Sequence, residues 1–195
     1  VFVPAMSRVM SHLDTEDRVG RERLEDLFRR YEPAVVAYAR RRASEDVIDD
    51  IVAETFLVAW RRLDDVPEPA LPWLLAVARR VLSTHRRGDR RRRELGSRLA
   101  ATQSLALPAA SDEGEGRAIA ALAVLPEKDR EALMLIAWEG LTPMQAAVVL
   151  DEPAVRFRVR LHRAKRRIRP LLEQPSSTRP LSTIPSVHQG ASHHD

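Results

Sequence analysis

Residues 140–169 read GLTPMQAAVVLDEPAVRFRVRLHRAKRRIR. Thr142 is a natural helix cap, and Pro143 suits the first helical position, where a backbone N–H has no partner to lose. The apolar residues that follow predict a short helix over 143–150. Asp151-Glu152-Pro153 breaks it, because proline pushes the residue before it out of the helical region. A long basic helix then runs over 153–172. A short helix, a tight turn and a basic helix spell helix-turn-helix, a motif that lays its second helix in the major groove of DNA.

A helical wheel at about 100° per residue sorts the last helix into faces. With Phe157 set inward, Leu161, Ala164 and Ile168 share its face. Arg156, Arg160, Arg163 and Arg167 line one flank, and Arg158, Lys165 and Arg169 line the other. Val155, Val159, His162 and Arg166 point away from the core. Flanking cations straddle phosphates, which supply affinity without sequence information. The outermost residues read bases, and two valines there suit thymine methyl groups. A basic amphipathic helix also fits an acidic protein surface, so this alternative stays open.

Working outward, the chain has 195 residues, enough for one medium domain or two small ones. Its net charge of +4 hides strong segregation. Arginines crowd residues 79–98 and 156–169, whereas the charged residues of 99–116 are all acidic: Asp112, Glu113 and Glu115. All the basic residues except Lys128 and Lys165 are arginine. Two basic segments in a nearly neutral chain point to two contacts with a polyanion. Without cysteine there is no disulfide, thiolate metal site or cysteine nucleophile. No apolar run approaches a transmembrane length, and the N-terminus lacks a signal peptide's apolar core. A cytoplasmic protein is expected. Val1 reads as a non-AUG start, with Met6 and Met10 as alternatives.

The periodicity is helical throughout, so the fold is expected to be all-α. Leu24, Leu27, Phe28, Tyr31, Val35 and Tyr38 form one apolar stripe of a helix near 18–42. Ser44 is placed to cap the next helix, with Glu45 and Asp46 in its first turn. That helix buries Val47, Ile48, Ile51, Val52, Phe56, Trp60 and Leu63, and its other face carries Asp46, Asp49, Asp50 and Glu54. Three prolines make 66–72 a loop. A third helix is expected over 72–87, its basic end prolonged by the Arg90–Arg93 run, with Arg79, Arg80, Ser83, Thr84, Arg86 and Arg87 on its polar side. The organisation is then a disordered segment 1–17, a helical domain 18–98, a flexible linker 99–116, a helix-turn-helix domain 117–173 and a disordered tail 174–195. Within the second domain a short helix over 117–125 precedes one opened by Leu125-Pro126-Glu127, which is apolar nearly all round and ends at Gly140.

Several fragments in this order resemble one family. They are Leu27-Phe28-Arg29-Arg30-Tyr31, then Asp50-Ile51-Val52-Ala53-Glu54-Thr55-Phe56 with Ala59-Trp60, then Pro72-Trp73-Leu74 with Val77-Ala78-Arg79. The second half adds Leu125-Pro126, Arg130-Glu131, Glu139-Gly140-Leu141-Thr142 and Arg160-Leu161-His162-Arg163-Ala164. Together they resemble bacterial sigma factors of the extracytoplasmic-function group. The resemblance implies two domains, region 2 and region 4, that bind core RNA polymerase and promoter DNA. It implies that Arg79, Arg80, Ser83, Thr84, Arg86 and Arg87 meet the −10 element, with the 66–71 loop accepting an unstacked base. It implies that the helix-turn-helix reads the −35 element, and that Asp46, Asp49, Asp50 and Glu54 dock on the polymerase. An anti-sigma protein is a further implied partner. The chain departs from the family at Ala53, usually Gln, at Arg80, usually Asn, and at Thr84, usually Asp. It departs again at Asp151, usually Gly, and at Val155-Arg156 and Val159, usually Gly-Thr and Ser.

The competing reading is a helix-turn-helix regulator that never touches polymerase, which leaves the acidic helix unexplained. No enzyme is expected: no Gly-rich phosphate loop and no nucleophile elbow appears. No cofactor or metal site is expected either. The tail histidines His188, His193 and His194 fit a polar tail better than a metal site.

Overall fold

The computed structural model describes residues 18–96 and 113–173, and all regular structure among them is helical. The expected disordered ends, and the linker up to residue 112, lie outside the described residues. Helix α1 spans Arg18–Arg40 and buries Leu24, Leu27, Val35, Val36 and Tyr38. It continues through Pro33, which removes one backbone hydrogen bond.

Helix α2 spans Ile48–Arg61. Ser44 stands at an N-cap as expected, yet it caps a 3-10 turn, Glu45–Val47, and its side chain makes no capping hydrogen bond. The turn takes up three residues, so Asp49 and Asp50 occupy the first turn of the α-helix. Ile48, Ile51, Val52 and Phe56 are buried, whereas Val47, Trp60 and Leu63 pack only partly against the core. The rings of Phe28 and Phe56 sit 4.7 Å apart and join α1 to α2. Buried Thr55 satisfies its hydroxyl by donating to the Ile51 carbonyl at 2.7 Å.

Helix α3 spans Leu71–Gly96 and takes in both the expected 72–87 and the Arg90–Arg93 run. Gly88 weakens a helix by about 1 kcal/mol but does not stop it, and the arginines after it are good helix formers. Helix α4 spans Glu113–Ala123. Residues 113–116, expected as the end of the linker, are therefore helical. Gly114 and Gly116 are tolerated near a helix start, where fewer backbone bonds depend on them.

Helix α5 spans Glu127–Ala137, with Pro126 at its N-cap position. Gly140, at φ 64°, supplies the left-handed residue that ends this segment. Helix α6 spans Pro143–Leu150 and carries the capping box that Thr142 forecasts. The Thr142 hydroxyl accepts from the Gln145 N–H at 3.3 Å, and the Thr142 N–H donates to Gln145 Oε1 at 2.9 Å. Asp151, at φ 54°, takes the left-handed turn position where the family usually has glycine. Aspartate is among the few side chains that tolerate it. Helix α7 spans Ala154–Glu173.

The two helical regions pack against each other. Helix α3 lies against α6, and one apolar cluster runs from Leu24, Phe56 and Leu74 to Leu135, Ala146, Phe157 and Leu161. A smaller cluster, Leu122, Leu125 and Met134, seats α4 and α5 beside Ile168 of α7.

Phe157 is fully buried. Phe157→Ala should cost about 3–5 kcal/mol in denaturant unfolding. Because the core is shared, one transition should shift as a whole, and a separate early transition of the second half would contradict it. Thr142→Ala should cost about 1 kcal/mol in the same measurement, from loss of the cap.

Candidate nucleic-acid interface

The last helix sorts as its wheel forecasts. Phe157, Leu161 and Ala164 are buried, while Ile168 packs partly against the smaller cluster. Val155, Val159, His162 and Arg166 all face solvent, with Val155 69% and Val159 46% exposed. Arg156, Arg158, Arg163, Lys165, Arg167 and Arg169 are exposed along the flanks. Two flanking arginines have carboxylate partners inside the protein. Arg160 is half-buried and donates through Nε and Nη2 to the two oxygens of Glu152, at 3.1 and 2.7 Å. That bidentate bond is the main reason its guanidinium is held above the ordinary arginine pKa. Arg167 pairs with the buried carboxylate of Asp129. Both arginines therefore brace the fold, and Glu152 and Asp129 are contributors that periodicity alone does not reveal.

The six polar residues expected on α3 come together. Arg79, Arg80, Ser83, Thr84, Arg86 and Arg87 line one cleft of about 800 Å³ between α3 and the helix-turn-helix. Arg156 and Arg160 of α7 line its other wall, joined by Lys128 and Arg130 from α5. Arg87 donates to the hydroxyls of Ser83 and Thr84, at 3.1 and 3.2 Å, which orders this face. Arg80 lies 3.8 Å from Asp151 in the helix-turn-helix turn. Arg86 is half-buried and donates to the Arg42 carbonyl at 2.8 Å. The cleft is thus dominated by guanidinium groups, which suits phosphate.

The acidic residues lie on the 3-10 turn and α2. Asp46 and Glu54 are exposed, and Asp49 and Asp50 are half-exposed. His85 of α3 stands 3.2 Å from Glu54. Ala53, which replaces the family's usual glutamine, is buried beside them. A carboxylate face of this kind repels a phosphate backbone and suits a basic protein surface. Among the described residues no group of His, Asp and Glu is arranged to hold a metal ion.

One cluster escaped sequence reasoning altogether. Arg42, just past α1, donates through Nε to both oxygens of Glu131, at 3.1 and 3.2 Å, and through Nη1 to Glu139 at 2.9 Å. Arg41 donates to the second Glu139 oxygen at 2.9 Å and lies over the Trp138 ring. The Tyr38 hydroxyl donates to Glu131 at 3.3 Å. Burial, then the Glu131 charge, push the Tyr38 pKa far up, so it remains a protonated donor. The sequence signals were the Arg40-Arg41-Arg42 run, which reads equally well as a solvated helix end, and the family fragments that contain Glu131 and Glu139, which do not reveal their partner.

Comparison with known proteins places these surfaces in a family. The Sigma-70 region 2 family matches residues 27–92, and the Sigma-70, region 4 family matches residues 116–168. The chain is 31% identical over 141 residues to the ECF RNA polymerase sigma factor SigL of Mycobacterium tuberculosis, covering 67% of this chain and 77% of SigL. It is 34% identical over 149 residues to a probable RNA polymerase sigma factor, RfaY, of Xanthomonas campestris. That match covers 71% of this chain but spans only 37% of RfaY. The fold resembles the sigma factor RpoE of Bartonella quintana, solved with the anti-sigma factor NepR, at a TM-score of 0.61 and 23% identity, covering 76% of this chain and 95% of that one. It also resembles CnrH, solved with the cytosolic domain of CnrY, at a TM-score of 0.55 and 24% identity, covering 86% and 94%. The chain belongs to the ECF-type sigma-70 family of RNA polymerase sigma factors, with its region 2 preceding its region 4.

Proposed function

We propose that this chain is a working sigma factor: it binds core RNA polymerase, recognises −10 and −35 promoter elements and promotes promoter opening. In this role it is a non-enzymatic subunit, placed in the cytoplasm with the polymerase. The observation that carries the reading is the co-occurrence, on one chain, of an outward basic recognition helix, a second arginine-lined face on α3 and a carboxylate face on α2. A DNA-binding regulator needs the first alone. Val155, Val159, His162 and Arg166 read bases of the −35 element, while Arg156, Arg158, Arg163 and Lys165 hold its phosphates. Arg160 and Arg167 position the helix through Glu152 and Asp129. On α3, Arg79, Arg80, Ser83, Thr84, Arg86 and Arg87 follow the −10 strand. Asp46, Asp49, Asp50 and Glu54 dock on a basic surface of the polymerase. An anti-sigma protein is a further partner, since RpoE and CnrH are each solved in complex with a partner protein.

Asp50→Arg with Glu54→Arg should weaken binding to core polymerase in a pull-down, while duplex binding by the full chain is retained. Unchanged core binding would reassign this face. Arg156→Ala with Arg163→Ala should weaken DNA binding across sequences. The slope of log affinity against log salt should fall by about 0.9 per lost phosphate contact. An unchanged slope would remove these residues from the phosphate contacts. Val155→Ala should change preference at one base position more than overall affinity, as read by selection from a randomised site. A uniform loss would end its role as a base reader.

A further inference from the structure

The cleft between α3 and the helix-turn-helix holds more positive charge than the protein itself answers. Ten arginine and lysine side chains line it, against four carboxylates. Each of those carboxylates already has a cation. Glu131 accepts from Arg42 and Glu152 from Arg160, while Asp151 and Glu127 stand 3.8 and 3.9 Å from Arg80 and Arg86. Arg79, Arg87, Lys128, Arg130 and Arg156 are left with no carboxylate partner among the described residues. Arg87 and Arg130 have neutral acceptors, the Ser83 and Thr84 hydroxyls and the Ala123 carbonyl. Like charges around one concave space repel each other and concentrate counter-ions within it.

The shape and lining of the cleft narrow the kind of anion. Its volume of about 800 Å³ lies within the roughly 300–1,000 Å³ typical of small-molecule sites. It offers little to an apolar ligand: Leu82 and Leu150 are its aliphatic residues, and the Tyr38 ring is covered by the Arg42 guanidinium. Guanidinium forks match phosphate oxygens two at a time. The unanswered cations stand on α3, α5 and α7, so they meet a compact anion from several sides. Lys128 and Arg130 have no part in the promoter contacts, and Arg158 and Arg163 of the outward helix do not line the cleft. Arg42 lines it as well, and its Nη2 is a buried donor without a hydrogen-bond partner.

We propose that this cleft binds a small ligand bearing several linked phosphates, held by Arg79 and Arg87 on one wall and by Lys128, Arg130 and Arg156 on the other. Inorganic polyphosphate and nucleotides both carry this chemistry. The site goes beyond the promoter reading and does not depend on it, because the unpaired charge and the cavity are its grounds.

Inorganic tripolyphosphate is the probe, titrated calorimetrically into the full chain in metal-free buffer at fixed ionic strength. It should bind at a single saturable site. Arg79→Ala with Arg87→Ala should weaken it, and so should Lys128→Ala with Arg156→Ala. Each loss should be roughly tenfold to a hundredfold, the worth of a charged hydrogen bond. All four residues are exposed, so both variants should keep the parent's circular dichroism. Arg158→Ala with Arg163→Ala removes as much charge outside the cleft and should leave the affinity nearly unchanged. A nucleoside triphosphate titrated in parallel separates the two sources: equal affinity assigns the site to the phosphate chain alone, and tighter binding assigns it to a nucleotide. Absence of saturable binding, or an equal loss in the Arg158 and Arg163 variant, would overturn the site. So would a single-stranded oligonucleotide that binds through the same four residues where tripolyphosphate does not, since the cleft would then serve nucleic acid. None of these failures bears on recruitment of polymerase to promoters.

Discussion

A buried arginine must be answered by carboxylates. Arg42 is sealed among Tyr38, Glu131 and Glu139, with two bonds to one carboxylate and one to the other. Removing one side of a buried pair typically costs about 3–5 kcal/mol, a large share of a small domain's stability. The relation of the two regions depends on this requirement. Glu131 and Glu139 bracket most of α5, so satisfying Arg42 fixes that helix against the end of α1. With α5 held, α6 comes to rest on α3, and the apolar residues of both regions close into one core.

The charges then divide by task. Some arginines are spent inside the protein: Arg42 on the region interface, Arg160 on Glu152, Arg167 on Asp129 and Arg86 on a carbonyl. Arg156, Arg158 and Arg163 remain exposed on α7, where they are available to phosphates. A wheel diagram puts Arg156, Arg160, Arg163 and Arg167 on one equivalent flank, but their partners make them unequal. The net charge of +4 is a sum over basic faces, a carboxylate face and internally neutralised pairs.

What could be read from sequence was local. The helix-turn-helix was legible because Thr142, Pro143, Asp151 and Phe157 each act within a few residues of themselves, and cap, turn and buried face all agree with the structure. Helix ends read less well. Ser44 met the composition of a cap but opens a 3-10 turn, and α3 runs on to Gly96. The pairing of Arg42 with Glu131 was not legible at all, since 89 residues separate the partners and no periodicity links them. The shared core was hidden for the same reason: each region shows its own apolar stripe, and nothing in a stripe tells which neighbour it will meet.

The central claim is that this chain directs polymerase to promoters through both of its regions. Transcription reconstituted from purified chain and core polymerase on fragmented genomic DNA, with start sites mapped, tests it most directly. The account predicts starts that appear only when the chain is present and that share two conserved elements at constant spacing upstream. Starts independent of the chain, or starts sharing no spaced pair of elements, would contradict it.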